Sequence, residues 1–154
     1  MLGQSVDDFE LIIINDGSTD NTEEVITGYE DSRISYYSQE NQDAFNTINR
    51  GLSLARGKYI AILNSDDVFT PNRLEKLLAF AGQHNSACVI SDVIPISDEG
   101  IEFTDPDFGW NIWHAKNRDF YFKAGDMYTA FLKGNFMVTT SNLFMTREAV
   151  EKVG

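Results

Sequence analysis

Two short acidic segments carry residue types that bind cations and, through them, phosphate groups. The segment Asn-Ser-Asp-Asp at 64–67 follows the apolar run 58–63, and Asn-Asp-Gly at 15–17 follows the apolar run 9–14. Adjacent carboxylates repel each other and are costly near a core unless a cation neutralises them. Each segment is therefore either an acidic turn in water or part of a cation site. Hard cations such as Mg²⁺ take oxygen ligands, often one or two carboxylates plus substrate phosphates.

The order of apolar runs and helical patterns predicts an α/β protein, with a mainly parallel sheet flanked by helices. Predicted strands cover residues 9–14, 33–38, 58–63, 87–93 and 141–145. Predicted helices cover 20–29, 43–56, a segment from Thr70-Pro71 through Ala81, 125–133 and 146–153. Ligands of such sheets bind beyond the carboxyl ends of the strands, where both acidic segments fall. Their strands are expected to be neighbours, so the two segments would line one crevice.

Local signals refine these elements. Asp20, three residues before Glu23, predicts a capping box, and Gly57 and Gly154 predict helix ends. Helical spacing predicts two apolar stripes, one of Phe45, Ile48, Leu52 and Ala55 and one of Leu74, Leu77, Leu78 and Ala81. Residues 103–122 contain seven aromatic residues without clean periodicity, which indicates a loop. Such aromatic rings either stack on sugar faces or pack on the core, and packing is the more common outcome.

Composition limits the possible functions. The chain has 154 residues, which suggests one domain, and its formal net charge of −12 argues against general nucleic-acid binding. Cys88 is the single cysteine, expected to be a buried and inert thiol, and no function is predicted for the isolated His84 and His114. No P-loop or dinucleotide fingerprint is present. No apolar run approaches about 18 residues, so the predicted location is the cytoplasm or the inner face of the membrane.

Three segments carry a family resemblance. "FELIIINDGSTDNT", "INRGLSLARGKYIAILNSDDVFTP" and "SNLFMTREAVEKVG" resemble family 2 glycosyltransferases of the GT-A fold, and the resemblance is weakest across 97–133. It implies inverting transfer of a sugar from a nucleotide-diphosphate donor, usually a UDP-sugar, with Mn²⁺ or Mg²⁺ as cofactor. The implied acceptor is a saccharide or a lipid-linked sugar in the synthesis of a bacterial surface polysaccharide. Nucleotidyl transfer is a competing reaction, but it usually needs a Gly-rich basic loop that is absent here.

The resemblance also assigns roles to individual residues. Asp16 matches the carboxylate that hydrogen-bonds the nucleotide base, and Asp66 matches the metal ligand. The residues implied in donor binding are Asp16, Asp43, Asn49, Asn64, Ser65, Asp66 and Asp67. Within this set, Asn64 replaces the first Asp of the family's D-x-D motif and is expected near the ribose or diphosphate. Asp67 is expected to shape the turn. Some relatives carry an arginine near position 43 or 48 that meets phosphate, and this chain has Asp43 and Ile48 there.

The same resemblance predicts what each half of the chain contributes. Residues 1–96 would bind the nucleotide-sugar, and residues 97–154 would form the variable, acceptor-side half. The family's first strand, which lies in mid-sheet, is not matched by residues 1–5, and the general base is expected beyond Gly154. Four acidic residues lie in or near the variable half, and nothing singles one of them out as the base: Asp92, Asp105, Asp107 and Asp126. A nucleotide-binding but catalytically incomplete module is the alternative, and self-association through the missing-strand gap is a further expectation.

Overall fold

The computed structural model describes residues 1–134 and 137–153 and confirms the α/β class of a GT-A-like fold. Its strands are β1 (Leu11–Asp16), β2 (Ile34–Gln39), β3 (Tyr59–Ala61), β4 (Cys88–Ile90) and β5 (Leu143–Thr146). Its helices are α1 (Thr22–Thr27), α2 (Ala44–Leu54), α3 (Arg73–His84), α4 (Gly109–Lys123), α5 (Met127–Lys133) and α6 (Arg147–Val153). A 3₁₀ turn, Thr140–Asn142, precedes β5. Gly154, the predicted end of the last helix, lies outside the described residues.

The strands form two hydrogen-bonded sheets. β1 runs parallel to β2, with Asp16 opposite Gln39, whereas β3 runs antiparallel to β5 in a sheet of order β3-β5-β4. The expectation that the strands before the two acidic segments are direct neighbours is therefore wrong. The residues just before β1 and β3 are joined by a side chain and not by hydrogen bonds between strands. Glu10 Oε1 accepts from the main-chain N–H groups of Arg56 and Gly57, over 2.5 and 3.0 Å.

The apolar core lies between α3 and the sheet that contains β5. Leu74, Leu77 and Ala81 of the predicted α3 stripe are buried, and Leu78 packs against them. Phe144 of β5 belongs to the same cluster and stacks on Tyr59 of β3, with ring centroids 5.1 Å apart. Burial of such side chains is the main favourable contribution to folding. This cluster therefore fixes β3, and with it the segment that follows β3.

Helix α2 packs against β1 but does not bury its whole predicted stripe. Ile48 and Leu52 are half-buried, whereas Phe45 is 79% exposed. The prediction for Phe45 is wrong because this residue lies in the first turn, within the continuously exposed stretch 40–46. Gly51 provides the close approach: a Cβ there would lie 3.5 Å from Ile14 Cδ1 of β1.

Helices α1 and α3 begin without the capping residues that the sequence predicts. Asp20 accepts hydrogen bonds from the Thr22 N–H and hydroxyl, and no capping box forms at α1. Helix α3 begins at Arg73, after the predicted Thr70-Pro71. Its free Leu74 N–H is satisfied from far away in the chain, because the buried Gln4 accepts from it through Oε1 over 3.1 Å. A tertiary contact has therefore replaced the local cap at α3, whereas the contact of Asp20 near α1 is local.

The predicted loop at 103–122 is largely helix α4. Its less exposed residues are Trp110, Asn111, His114, Asn117, Phe120 and Tyr121, which recur at intervals of three and four. That spacing is helical, but His114 and Asn117 are polar, so a hydrophobicity pattern does not reveal it. Cys88 is exposed, so the prediction of a buried thiol is also wrong. Partial desolvation nevertheless raises the pKa of the Cys88 thiol, which favours the unreactive protonated form.

The chain divides into two compact units. Unit 1 comprises residues 1–89 and 143–154, and unit 2 comprises residues 90–142. Both acidic segments belong to unit 1. The division of substrates between the halves 1–96 and 97–154 stays a prediction. Among the described helices, none combines the length and the apolar character needed to cross a bilayer.

Unfolding at low pH should depend on Asp31, which lies just before β2. Its carboxylate accepts from Arg33 Nε and Nη2 over 3.0 and 2.8 Å, and these contacts lower the pKa of Asp31 to about 2. A folded-state pKa below the unfolded value stabilises the fold above about pH 4, and this contribution is lost as the pH falls towards 2. We expect Asp31→Asn to lower the urea midpoint at pH 7 and to approach wild type near pH 2. A difference that is independent of pH, or an equal loss in the exposed control Asp8→Asn, would contradict this.

Candidate functional site

The carboxyl end of β1 carries a side-chain network centred on Asp16. Gln39 donates from Nε2 to Asp16 Oδ1 over 2.6 Å, and the main-chain N–H of Gln42 donates to the same oxygen over 3.0 Å. Gln39 also donates to Thr47 Oγ1 over 2.9 Å and accepts from Arg50 Nη1 over 2.6 Å. The network joins β1, β2 and α2, so three elements together hold the Asp16 carboxylate in place.

These contacts determine the charge of Asp16. The hydrogen bond from Gln39 lowers the pKa of Asp16, partial desolvation opposes this, and hydrogen bonds from Gln42 and Thr47 lower it further. The net direction is downward, so the carboxylate is ionised at neutral pH. An ionised carboxylate accepts hydrogen bonds and donates none. A ligand that binds Asp16 must therefore present a donor.

The main chain beside Asp16 is conformationally demanding. Gly17 has φ +79°, and a Cβ at this position would lie 2.9 Å from the main-chain nitrogen of Asn41. Asp43 has φ 81° and ψ 161°, a region that is almost restricted to glycine, and its side chain accepts from Asn46 N–H as the N-cap of α2. Asp43, predicted to bind the donor, thus has a structural role. Backbone strain of this kind is concentrated at functional sites.

The second acidic segment is a β-turn. The carbonyl of Asn64 accepts from Asp67 N–H over 3.2 Å, which places Ser65 and Asp66 at the two central positions. Both central residues are exposed, and Asn64 is half-buried. Within the described part of the chain, the Asp66 side chain has no hydrogen bond or ion pair. Its carboxylate is consequently free to take an external ligand.

Asp67 has a different environment from Asp66. It is half-buried, and its negative charge acts on Arg73, the first residue of α3. Burial lowers the pKa of Arg73, while the charge of Asp67 raises it. The Arg73 guanidinium also lies over the Phe69 ring, 4.2 Å from its centroid. The role expected of Asp67, shaping the turn, stays a prediction.

The turn at 64–67 offers oxygen ligands of the kind that Mn²⁺ or Mg²⁺ requires. Asp66 offers one exposed carboxylate, which is the hard oxygen ligand these ions prefer. Across residues 1–134 and 137–153, no three His, Cys, Asp or Glu side chains come together as a ligand set. Mg²⁺ is often held by one or two carboxylates and completed by substrate phosphates. The residues present therefore fit a metal that is shared with a bound diphosphate.

Asn49 lies on a different part of α2 from the Asp16 network. It is exposed and lines a cavity of about 470 Å³ together with Leu52, Ile60, Arg147 and Val150. From α2, the side chains that reach the Asp16 network are Thr47 and Arg50 (see above). The donor-binding role of Asn49 stays a prediction, as do the roles of the other six residues.

The sequence analysis did not identify Gln39, Thr47 and Arg50 as members of the Asp16 network. A signal was available, because parallel strands of equal length place Gln39 opposite Asp16 at the carboxyl ends of β1 and β2. Side chains at such ends face the ligand-binding edge of an α/β sheet. The sequence did not reveal that Thr47 and Arg50 of α2 reach the same glutamine.

Three of the four acidic residues considered as a base, Asp92, Asp105 and Asp126, accept from a main-chain N–H close by in the chain. Asp126 accepts from Thr129 N–H as the N-cap of α5, and Asp105 accepts from Asp107 N–H over 2.9 Å. Asp92 differs, because it also contacts two side chains of α4: its Oδ2 accepts from Arg118 Nη1 over 2.9 Å, and its Oδ1 lies 2.9 Å from His114 Nε2. The identity of the general base stays open.

The chain was compared with known families and proteins. The model of glycosyl transferase family 2 matches residues 1–154. An uncharacterized glycosyltransferase of Rickettsia bellii is 39% identical over 101 residues, which is 65% of this chain and 15% of that protein. The putative glycosyltransferase EpsH of Bacillus subtilis is 32% identical over 123 residues, which is 79% of this chain and 35% of EpsH.

A third relative is the putative teichuronic acid biosynthesis glycosyltransferase TuaG of Bacillus subtilis. It is 40% identical over 90 residues, which is 56% of this chain and 36% of TuaG. In all three comparisons the matched region spans well under half of the relative's length. The family model nevertheless matches from the first residue to the last, including both acidic segments. The chain belongs to glycosyl transferase family 2.

Proposed function

We propose that the protein containing this chain is a glycosyltransferase that uses a nucleotide-diphosphate sugar, specifically a UDP-sugar. Unit 1 binds the donor. The sugar is transferred with inversion to a saccharide or lipid-linked acceptor in the synthesis of a surface polysaccharide. The relatives support this class of reaction, since EpsH is a putative glycosyltransferase and TuaG is named for teichuronic acid biosynthesis. Location in the cytoplasm, or at the inner face of the membrane, belongs to the same proposal.

The observation that carries the proposal is the fixed, ionised carboxylate of Asp16. It lies at the carboxyl end of β1, where ligands of α/β sheets bind. Gln39 and Gln42 hold one of its oxygens in place before any ligand arrives. A uracil ring offers an N–H donor, which is the partner that an ionised carboxylate needs. Pre-organisation of this kind reduces the cost of ordering a side chain on binding.

Asp66 would hold Mn²⁺ or Mg²⁺ together with the donor diphosphate. The metal would supply Lewis-acid neutralisation of the charge on the departing diphosphate. The exposed position of Asp66 at the centre of the turn leaves its carboxylate accessible to such an ion. Ser65 and the half-buried Asn64 lie beside it and can hydrogen-bond the ribose or phosphate oxygens. Self-association through the gap of the missing first strand also stays a prediction.

Calorimetry with UDP tests the role of Asp16. We expect Asp16→Asn to weaken binding of UDP in the presence of Mn²⁺ by about tenfold or more, since a hydrogen bond to a charged group is worth about 1.5–3 kcal/mol. Asparagine can still accept from Gln39 and Gln42, so the fold should persist. Asp20→Asn is the matched control, because Asp20 bonds only within its own turn, to Thr22.

The outcomes distinguish the alternatives. Equal UDP affinity in wild type and Asp16→Asn would contradict base recognition by Asp16. Binding of UDP without sugar transfer to any acceptor by the complete reading frame would favour the catalytically incomplete module. Transfer of the sugar with net inversion, measured by NMR of the product's anomeric proton, would support the proposed reaction.

A further inference from the structure

In the part of the chain that the structure describes, hydrogen bonds to the Asp16 carboxylate reach one of its two oxygens. Gln39 Nε2 and the Gln42 N–H both donate to Oδ1, over 2.6 and 3.0 Å. A carboxylate oxygen carries about two acceptor sites, so these two donors use Oδ1 fully. A ligand that approaches the half-buried Asp16 therefore meets one available acceptor oxygen, Oδ2.

Arg50 determines how Gln39 presents its amide to Asp16. Arg50 Nη1 donates to Gln39 Oε1 over 2.6 Å, while Gln39 Nε2 donates to Asp16 and to Thr47 Oγ1. An arginine only donates and an ionised carboxylate only accepts, so the amide between them has a single favourable orientation. The cation at the amide oxygen also polarises the amide N–H groups, which strengthens the hydrogen bond to Asp16.

Contacts that do not involve Asp16 hold Arg50 in this position. Arg50 lies on α2, which packs against β1, and its guanidinium carbon is 5.5 Å from the centroid of the Tyr37 ring. Its Nη1 also donates to the Ser38 carbonyl oxygen over 3.4 Å. Arg50 and Gln39 are both half-buried, so water competes only in part for the bonds between them. The series of contacts from Arg50 through Gln39 to Asp16 is therefore present before a ligand binds.

We propose that Arg50 is a positioning residue for Asp16 that acts through Gln39, and that the resulting site accepts a base with one N–H donor and excludes guanine. The inference rests on the proposed function. Uracil offers one N–H at the edge that meets the carboxylate, and Oδ2 is sufficient for it. Guanine offers two adjacent donors, at N1 and N2, and pairs fully only with two oxygens. Because Oδ1 is already used, one donor of guanine would lose its water without gaining a partner.

Calorimetry with UDP and GDP on the full chain, both with Mn²⁺, isolates the base because the two nucleotides share the ribose and the diphosphate. We expect the wild type to bind UDP about tenfold or more tightly than GDP, from the cost of one unpaired donor. Arg50→Met keeps the length of the side chain but removes its donors, and should reduce this UDP/GDP ratio about threefold or more. Arg50→Lys should retain the ratio, since one donor to Gln39 Oε1 is sufficient.

Further variants separate positioning from a general structural effect. Gln39→Leu should reproduce the effect of Arg50→Met, and the double variant should show no further loss, because the two residues act in series. Arg56→Met is the matched control: it removes the same charge from a pair with Glu10, just before β1, and should leave both affinities unchanged. A purely structural role of Arg50 would weaken UDP and GDP equally. An unchanged UDP/GDP ratio in Arg50→Met would therefore overturn the inference.

A second measurement needs no nucleotide. The hydrogen bond from Gln39 lowers the pKa of Asp16, and NMR of the Asp16 carboxyl carbon measures that pKa in each variant. We expect the pKa of Asp16 to rise in Arg50→Met and in Gln39→Leu, and to keep its wild-type value in Arg50→Lys. An unchanged pKa in Arg50→Met would overturn the inference whatever the nucleotides do. A raised pKa in a chain whose wild type binds neither nucleotide would support positioning by Arg50 and contradict donor binding by unit 1.

Discussion

Replacing Asp66 with asparagine should lower the Mn²⁺-dependent affinity for UDP about 100-fold or more, which corresponds to about 2.7 kcal/mol. The reason is that the affinity of a hard cation depends on the number of charged oxygen ligands, and asparagine supplies a neutral one. The turn should survive, because its hydrogen bond joins the main chains of Asn64 and Asp67. Binding of UDP without metal should be nearly unchanged.

Calorimetry of UDP binding with and without Mn²⁺ gives the required comparison. Asp8→Asn is the matched control: Asp8 is exposed, and its replacement changes the net charge by the same amount. The control is needed because a chain of net charge −12 attracts divalent cations over its whole surface. Metal-dependent affinity that is equally high in Asp66→Asn and wild type would remove Asp66 as the metal ligand.

Replacing Gly17 with alanine should destabilise unit 1 by about 2–3 kcal/mol and lower UDP affinity at the same time. Two costs add at this position. The φ of +79° is unfavourable for alanine, and the new Cβ would lie 2.9 Å from the Asn41 main-chain nitrogen, which cannot move without the loop before α2. That loop carries the Gln42 N–H that holds Asp16. Chemical denaturation measures the first effect, and calorimetry with UDP measures the second.

Gly100 offers a control with the same backbone conformation. Its φ is +78°, but nothing lies within 4 Å of a Cβ built there. Gly100→Ala should therefore show the cost of the positive φ alone, on the order of 1 kcal/mol, and should leave UDP binding unchanged. Equal destabilisation by the two substitutions would mean that the contact with Asn41 contributes nothing.

Sequence patterns correctly predicted the elements whose signal lies within their own residues. The stripe Leu74, Leu77, Leu78 and Ala81 identified α3 because its apolar residues recur at helical spacing and face one core. The run before Asn15 identified β1 for a similar reason, since continuous apolar strands are covered on both faces. The segment 64–67 was located correctly as a turn after β3, whereas Asn15 and Asp16, predicted to lie in a turn, are the last two residues of β1.

Two of the errors share a physical cause, which is that residues distant in the chain supplied contacts that were expected from neighbouring residues. Gln4 caps α3 although 70 residues separate it from Leu74. Helix α4 was missed because its less exposed face includes His114 and Asn117, whose burial depends on partners such as Asp92. Phe45 and Cys88 are exposed although their hydrophobic character favours burial. No periodicity within one segment contains this information.

The amino-acid sequence alone determined the α/β class, the family resemblance and the acidic turn at 64–67, because these depend on local residue order. The tertiary structure alone decided which carboxylates are available. Asp66 is exposed at the centre of its turn, whereas Asp67 acts on Arg73 and Asp43 caps α2. It also decided that Gln39 anchors Asp16 and that His114 and Arg118 orient Asp92. Hydrogen bonds and ion pairs between residues far apart in the chain form only when folding brings the donors to the acceptors.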